Sequence, residues 1–379
     1  TTMAGNPNYT ISFPNELPSG DAPDTDLPEG TSFTVDVQAI NSAGLDQATT
    51  NTVVPVEAQT AVGNFAITVW SGTGSDLTIT NGMSLTSGES LVWIKCMTAD
   101  YNHGLFEKPE FYMSTDTTTQ LSGSNNTLTE FTDEGFKVSN ASLVNETAKS
   151  YVAWCFNKCE GAYDQIGFVG DGQTSQTIDH NLGAEPGFII VKRSNGSGGA
   201  WETYHKDVGP EYTTRLSQAE APVQTASAWN NTAPTTTQFT VGNLSNVNAD
   251  GGTYVAYLFA ADGDFIKCGS YTGNDPGAQI VDTGFKTQWV MIKNVTTQGD
   301  WCIFDNQRGS TGNESLYPNR ATQQSGWGNN FSLDQPTGFF TGGTATLNQN
   351  GHTYIYVAVA APPDGVFSAD NPDELAAFN

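Results

Sequence analysis

The chain has 379 residues, 37% of them apolar and 11% aromatic, so it is too long for one ordinary domain and too rich in core-forming side chains to be disordered. Only 14% of residues are charged while glycine alone supplies 40, a balance that favours strands and turns over helices. Its 40 acidic and 14 basic residues give a net charge of −26, which excludes nucleic acid and anionic lipid as partners. The longest apolar stretch, Tyr354 to Ala361, is of strand length and ends at Pro362-Pro363, so no membrane insertion is expected.

In chain order, an acidic loop comes first, holding Asp21, Asp24, Asp26 and Glu29. The run Thr31 to Ile40, the turn Asn41 to Asp46 and the run Gln47 to Val56 then predict strand, turn and strand. With the turns Pro18-Ser-Gly20 and Leu27-Pro-Glu-Gly30, these residues resemble the closing half of a bacterial immunoglobulin-like module, which implies a short Ig-like β segment over residues 1–60.

The remainder repeats. A marker with aromatic and glycine residues opens each of three units: Val69-Trp-Ser-Gly72, Gly167-Phe-Val-Gly170 and Ser270-Tyr-Thr-Gly273. An apolar run ending in lysine follows, as Leu91-Val-Trp-Ile-Lys95, Phe188-Ile-Ile-Val-Lys192 and Trp289-Val-Met-Ile-Lys293. Next come His103-Gly-Leu-Phe106, Trp201-Glu-Thr-Tyr204 and Trp301-Cys-Ile-Phe304, and last the aromatic strands that begin at Tyr151, Tyr254 and Tyr354. Four ordered features at a period of about 100 residues define three related units, each large enough for its own core. The units fall at 61–160, 161–262 and 263–363, with a C-terminal tail over 364–379.

Turns such as Asn348-Gln-Asn-Gly351 feed strands, and no long segment carries a 3.6-residue period. The fold class is therefore all-β: three tandem antiparallel β-sandwich or jelly-roll domains after the Ig-like segment. The tyrosine strands are apolar on both faces, Tyr254, Ala256 and Leu258 lying opposite Val255, Tyr257 and Phe259; a strand inside a sandwich or beneath a neighbouring domain has that pattern. Short linkers at 158–162 and 261–264 predict a fixed, extended array.

Enzyme motifs are absent, and no catalytic residue is assigned. Glu107, Glu202 and Asp305 lie near the aromatic markers at places that differ among units, and read as solvated surface acids rather than the paired carboxylates of a glycosidase. The histidines show no metal-ligand spacing, and the five cysteines, Cys155 and Cys159 included, read as free thiols. Asp21, Asp24 and Asp26, and Asp262 with Asp264 at a linker, read first as solvated acidic turns; Ca2+ is the ion their oxygens would take. Lys95, Lys192 and Lys293 read as strand-edge charges that oppose edge-to-edge pairing. Trp229 and Trp327, in polar loops, and Arg308 and Arg320 are the candidate exposed recognition or assembly contacts.

Val-Met-Ile-Lys293, Trp301-Cys-Ile-Phe-Asp-Asn-Gln-Arg-Gly309 and Asn350-Gly-His-Thr-Tyr-Ile-Tyr356, with their counterparts in the first two units, resemble an uncharacterised repeat-domain family of tailed-phage virion proteins, especially marine ones. The Asp-x-x-Arg-Gly element at Asp305 to Gly309 is intact only in the last unit. The resemblance implies a virion location and a tail-fibre or similar appendage that combines scaffold with recognition of a host-surface glycan. A capsid decoration or head fibre is the alternative, and a polysaccharide-degrading tail enzyme comes third. The partners implied are other virion proteins and further copies of the chain, a homo-oligomer of the trimeric kind.

Overall fold

A computed structural model describes residues 64–362, apart from 197, 344 and 345, together with an antiparallel pairing of Ile40–Asn41 with Gly44–Leu45. That pairing falls largely within the turn expected at Asn41 to Asp46; the rest of the segment, Asp21, Asp24 and Asp26 among it, and the tail 364–379 lie outside the described residues. Residues 1–58 and 59–379 are two separate units, and all three repeats belong to the second.

The protein is all-β, and each repeat folds on one plan. Its large sheet has the order opening, tyrosine, lysine and marker strand, antiparallel throughout. The opening strands are Phe65–Ser71, Tyr163–Val169 and Ile266–Thr272, and the tyrosine strands are Ser150–Asn157, Thr253–Ala260 and Thr353–Ala360. The lysine strands are Ser90–Cys96, Pro186–Arg193 and Thr287–Asn294, and the marker strands are Gly104–Lys108, Glu202–His205 and Trp301–Asp305. Register is also shared: Lys95 faces Val152, Lys192 faces Val255 and Lys293 faces Ile355. A smaller sheet covers one side of each large one, pairing Leu77–Thr80 with Gly135–Val138, Gln176–Asp179 with Gln238–Val241, and Gln279–Val281 with Phe339–Thr341.

A single hook closes each sandwich. The hydroxyl of Tyr151 donates to Ser142 O at 2.8 Å and accepts from the backbone N–H of Glu146 at 2.9 Å. Tyr254 bridges Ser245 O and Ala249 N, and Tyr354 bridges Thr346 O and Gln349 N, in the same way. Each ring stacks on the opening-strand aromatic beside it, Trp70, Phe168 or Tyr271. The hook satisfies two backbone groups of the turn before its own strand, which is why tyrosine, with both a ring and a hydroxyl, recurs there.

Strand alternation explains the two apolar faces. Tyr151, Ala153 and Cys155 face the small sheet and fill the core of the first sandwich. Val152, Trp154 and Phe156 face the other way, into a second core that also takes Val255, Tyr257 and Phe259 from the second repeat and Ile355, Val357 and Val359 from the third. Phe156 touches both neighbours there, with ring centroids 5.6 Å from Phe259 and 5.9 Å from Trp289. The extended array expected from the short linkers is therefore not what forms. Each repeat has a second apolar face of Trp, Phe and Tyr, and burying one such side chain is worth about 1.5–3 kcal/mol, so the large sheets back onto one another around a common core.

Candidate functional site

The junctions between repeats are built from the repeated motifs, and they run in a cycle. Lys95, Lys192 and Lys293 are fully buried in a strand flanked on both sides, which corrects their reading as edge charges. Each ammonium donates to a carbonyl of its own following loop: Tyr101 O at 2.5 Å, Gly199 O at 2.6 Å, and Gly299 O. Each also donates to a carbonyl of another repeat. Lys192 reaches Thr118 O of the first repeat at 3.1 Å, and Lys293 reaches Ala219 O of the second at 3.0 Å. Lys95 reaches Ala321 O of the third at 2.7 Å, 226 residues away along the chain. Burial lowers all three lysines to a pKa of about 8.

The first marker residue repeats the cycle. The indole N–H of Trp201 donates to Ser114 O and Thr117 O of the first repeat, and that of Trp301 to Arg215 O of the second, at 3.0–3.1 Å. His103 has the corresponding place in the first repeat. Its Nδ1 accepts from Trp93 Nε1 at 2.9 Å, so Nε2 carries the proton and donates to Tyr317 O of the third repeat at 2.9 Å. Burial holds its pKa well below that of a free histidine. The residue that follows each marker, Glu107, His205 or Asp305, reaches the tyrosine strand of the next repeat. Glu107 accepts from Tyr257 Oη at 2.5 Å, His205 Nε2 lies 3.2 Å from Tyr356 O, and Asp305 accepts from Trp154 Nε1 at 2.8 Å.

These positions correct the surface reading of the acids. Asp305 is fully buried and also holds Arg308 Nε at 2.6 Å, so Arg308, expected in an exposed contact, lies inside the junction over the Trp154 ring. Glu202 is buried as well, accepting from Thr213, Arg215 and Asn246. Trp229, also expected to be exposed, is buried: Thr225 caps a helical turn over Ala226–Trp229 that places the indole against Tyr204. Trp327 is half-buried against Phe304 and donates to Ser315 Oγ. Arg320 alone of the four is exposed, its guanidinium on Asp300 at 2.6 Å. Asp262 pairs with Lys267 at 3.5 Å, and both line a small surface hollow with Asp264. Among the described residues no cluster of three His, Cys, Asp or Glu side chains is placed to hold a metal ion. All five cysteines are free, as expected.

One junction opens outward. Glu107, unlike Asp305 and His205, is only partly buried, and it lines a cleft of about 820 Å3 between the first and second repeats. Leu105, Met113 and Val255 are among its apolar walls, Phe111 stands 40% exposed at its side under the Lys108 ammonium at 4.3 Å, and Gln165 and Gly167 come from the second repeat's opening strand. The position three residues beyond the marker acid explains the difference. In the third repeat it is Arg308, folded inward; in the first it is Glu110, exposed at a hairpin turn with φ 68°. Burial raises the Glu107 pKa above the usual carboxyl range, against the pull of the Tyr257 hydroxyl.

Fold and junctions together define a single-chain β assembly of three sandwich repeats, closed on itself by cyclic contacts. The chain belongs to the family described as Domain of unknown function (DUF7483), which it matches over residues 60–363, all three repeats within one match. No curated protein matches it.

Proposed function

We propose that the chain is a structural and recognition protein of a tailed-phage particle, an appendage of the tail-fibre type that acts as scaffold and contacts a host-surface glycan. The observation that carries this reading is the closed cycle of repeats: one chain builds the threefold arrangement that fibrous appendages commonly build from three. The marker-motif side chains most suited to chemistry, His103, His205 and Asp305, are engaged in holding repeats together, which suits a scaffold better than a catalyst. The same cycle favours a second reading, a capsid decoration, because a module with internal threefold repetition matches the threefold positions of an icosahedral shell. Further copies of the chain and other virion proteins would join through the outer faces, the inner ones being consumed in the common core.

Immunogold labelling of purified particles tests this. Gold on the tail supports the appendage, gold on the head moves the protein to the capsid, and particles that carry none of it overturn both readings.

A further inference from the structure

We propose that the cleft between the first and second repeats is a binding site for a neutral saccharide, with Phe111 as the stacking platform and Glu107 as the polar anchor; this rests on, and gives a location to, the recognition part of the proposed function. Its volume of about 820 Å3 is in the range of small-molecule sites, and its lining mixes apolar surface with a few hydrogen-bonding groups. Sugars present that mixture: flat C–H faces that lie on an aromatic ring, and hydroxyls that need donors and acceptors at the edge. Phe111 supplies a 40% exposed ring at the cleft, which a sugar face would share with the Lys108 ammonium 4.3 Å over it, and Gln165 and Ser194 supply neutral polar groups from the second repeat.

Glu107 gives the cleft its polar floor. Oε1 is held by the Tyr257 hydroxyl, and the half-buried residue lines the cleft. The two equivalent positions in the cycle are closed, Asp305 by Arg308 and His205 by its own burial, so the scaffold does not require an opening at this place. At the lining Glu89 and Glu130 are paired with Lys158 and Lys137, so it is the chain charge of −26 that opposes an acidic sugar and leaves a neutral one as the matching class.

Titration calorimetry of the full-length chain against neutral β-1,4-glucose, α-1,4-glucose and N-acetylglucosamine oligomers tests the site. Phe111→Ala is expected to weaken binding of the preferred series at least tenfold, and Glu107→Gln to weaken it while keeping the Tyr257 contact. Gly167→Trp places a ring in the cleft mouth at a position where an added Cβ meets nothing within 4 Å, and is expected to abolish binding without unfolding the protein. Binding that survives both Phe111→Ala and Gly167→Trp overturns the cleft and leaves recognition to another surface. No binding of any series by the unaltered chain overturns the saccharide site, while the particle location is still read independently by immunogold.

Discussion

Trp154 in the first repeat donates its indole N–H to Asp305 in the third, 2.8 Å away in space and 151 residues away in sequence. The same carboxylate holds the buried Arg308, so one side chain joins two repeats and neutralises an interior cation. Removing one member of a buried ion pair costs about 3–5 kcal/mol because the other is left charged and unpaired. Asp305→Ala is therefore expected to lower the urea midpoint sharply, followed by tryptophan fluorescence. The double variant Asp305→Leu/Arg308→Met, which removes both charges, should recover part of that loss, the remainder being the buried Trp154 N–H left without its acceptor.

The lysines give an alkaline signature. Each has a pKa near 8 in the fold against about 10.4 in the unfolded chain. Between those values the unfolded state binds more protons than the folded state, so stability rises with pH, by up to about 1.4 kcal/mol per unit for each lysine. Below pH 8 both states are protonated and the burial penalty is complete. The buried thiols of Cys155, Cys268 and Cys302 act in the opposite direction from about pH 8.5, where they ionise only in the unfolded chain, and the buried tyrosines join them above about pH 10. The lysine share is therefore read as a difference: from pH 8 to 10 the unfolding free energy of Lys192→Met should gain less, or fall more, than that of the unaltered chain, by up to about 1.4 kcal/mol per pH unit. A slope unchanged by Lys192→Met would show that this lysine does not titrate in the window.

How far the sequence speaks differs between these contacts. The repeat period, the equivalence of the three lysines and the two apolar faces of the tyrosine strands are legible, because each is written in side chains at fixed spacing. The closure is not, because the acceptors of the lysines are backbone carbonyls of Thr118, Ala219 and Ala321, which carry no side-chain signature. A signal did exist: in a chain with 14 basic residues, three lysines stand at the ends of apolar runs that face a strand on each side, a place where an edge charge has no use. Glu107, His205 and Asp305 also share one offset from the aromatic that precedes them, visible once the markers are aligned on Phe106, Tyr204 and Phe304. The polar neighbours of Trp229, Asn230 and Asn231 among them, hide its burial, since the helical turn that directs it inward depends on the Thr225 cap.

His205 sets an acid limit. Burial lowers its pKa to about 4, against about 6.5 unfolded. In that interval the unfolded chain takes up a proton that the folded chain refuses, so the His205 contribution is complete above pH 6.5 and is lost as pH falls through 4. His103, lowered further by burial, acts in the same direction. His205→Gln, which keeps a donor toward Tyr356 O, should flatten the fall in thermal midpoint between pH 6.5 and 4 relative to the unaltered chain. Equal slopes in the two proteins would assign that fall to other groups.

The tyrosine hook makes a prediction at two places in the second repeat. Tyr254→Phe removes the hydroxyl that serves both Ser245 O and Ala249 N, leaving two backbone groups short of a partner; a loss of about 1–3 kcal/mol is expected. Gly170, from the marker that opens the repeat, is required by the same hook. A Cβ there would stand 2.5 Å from Ala249 O and 3.0 Å from the Tyr254 ring. Gly170→Ala must therefore push the turn off its tyrosine, and it should destabilise at least as much as Tyr254→Phe in urea unfolding. Because both changes break one contact, their costs should add to less than their sum in the double variant. Full additivity would mean that the glycine and the tyrosine serve separate purposes.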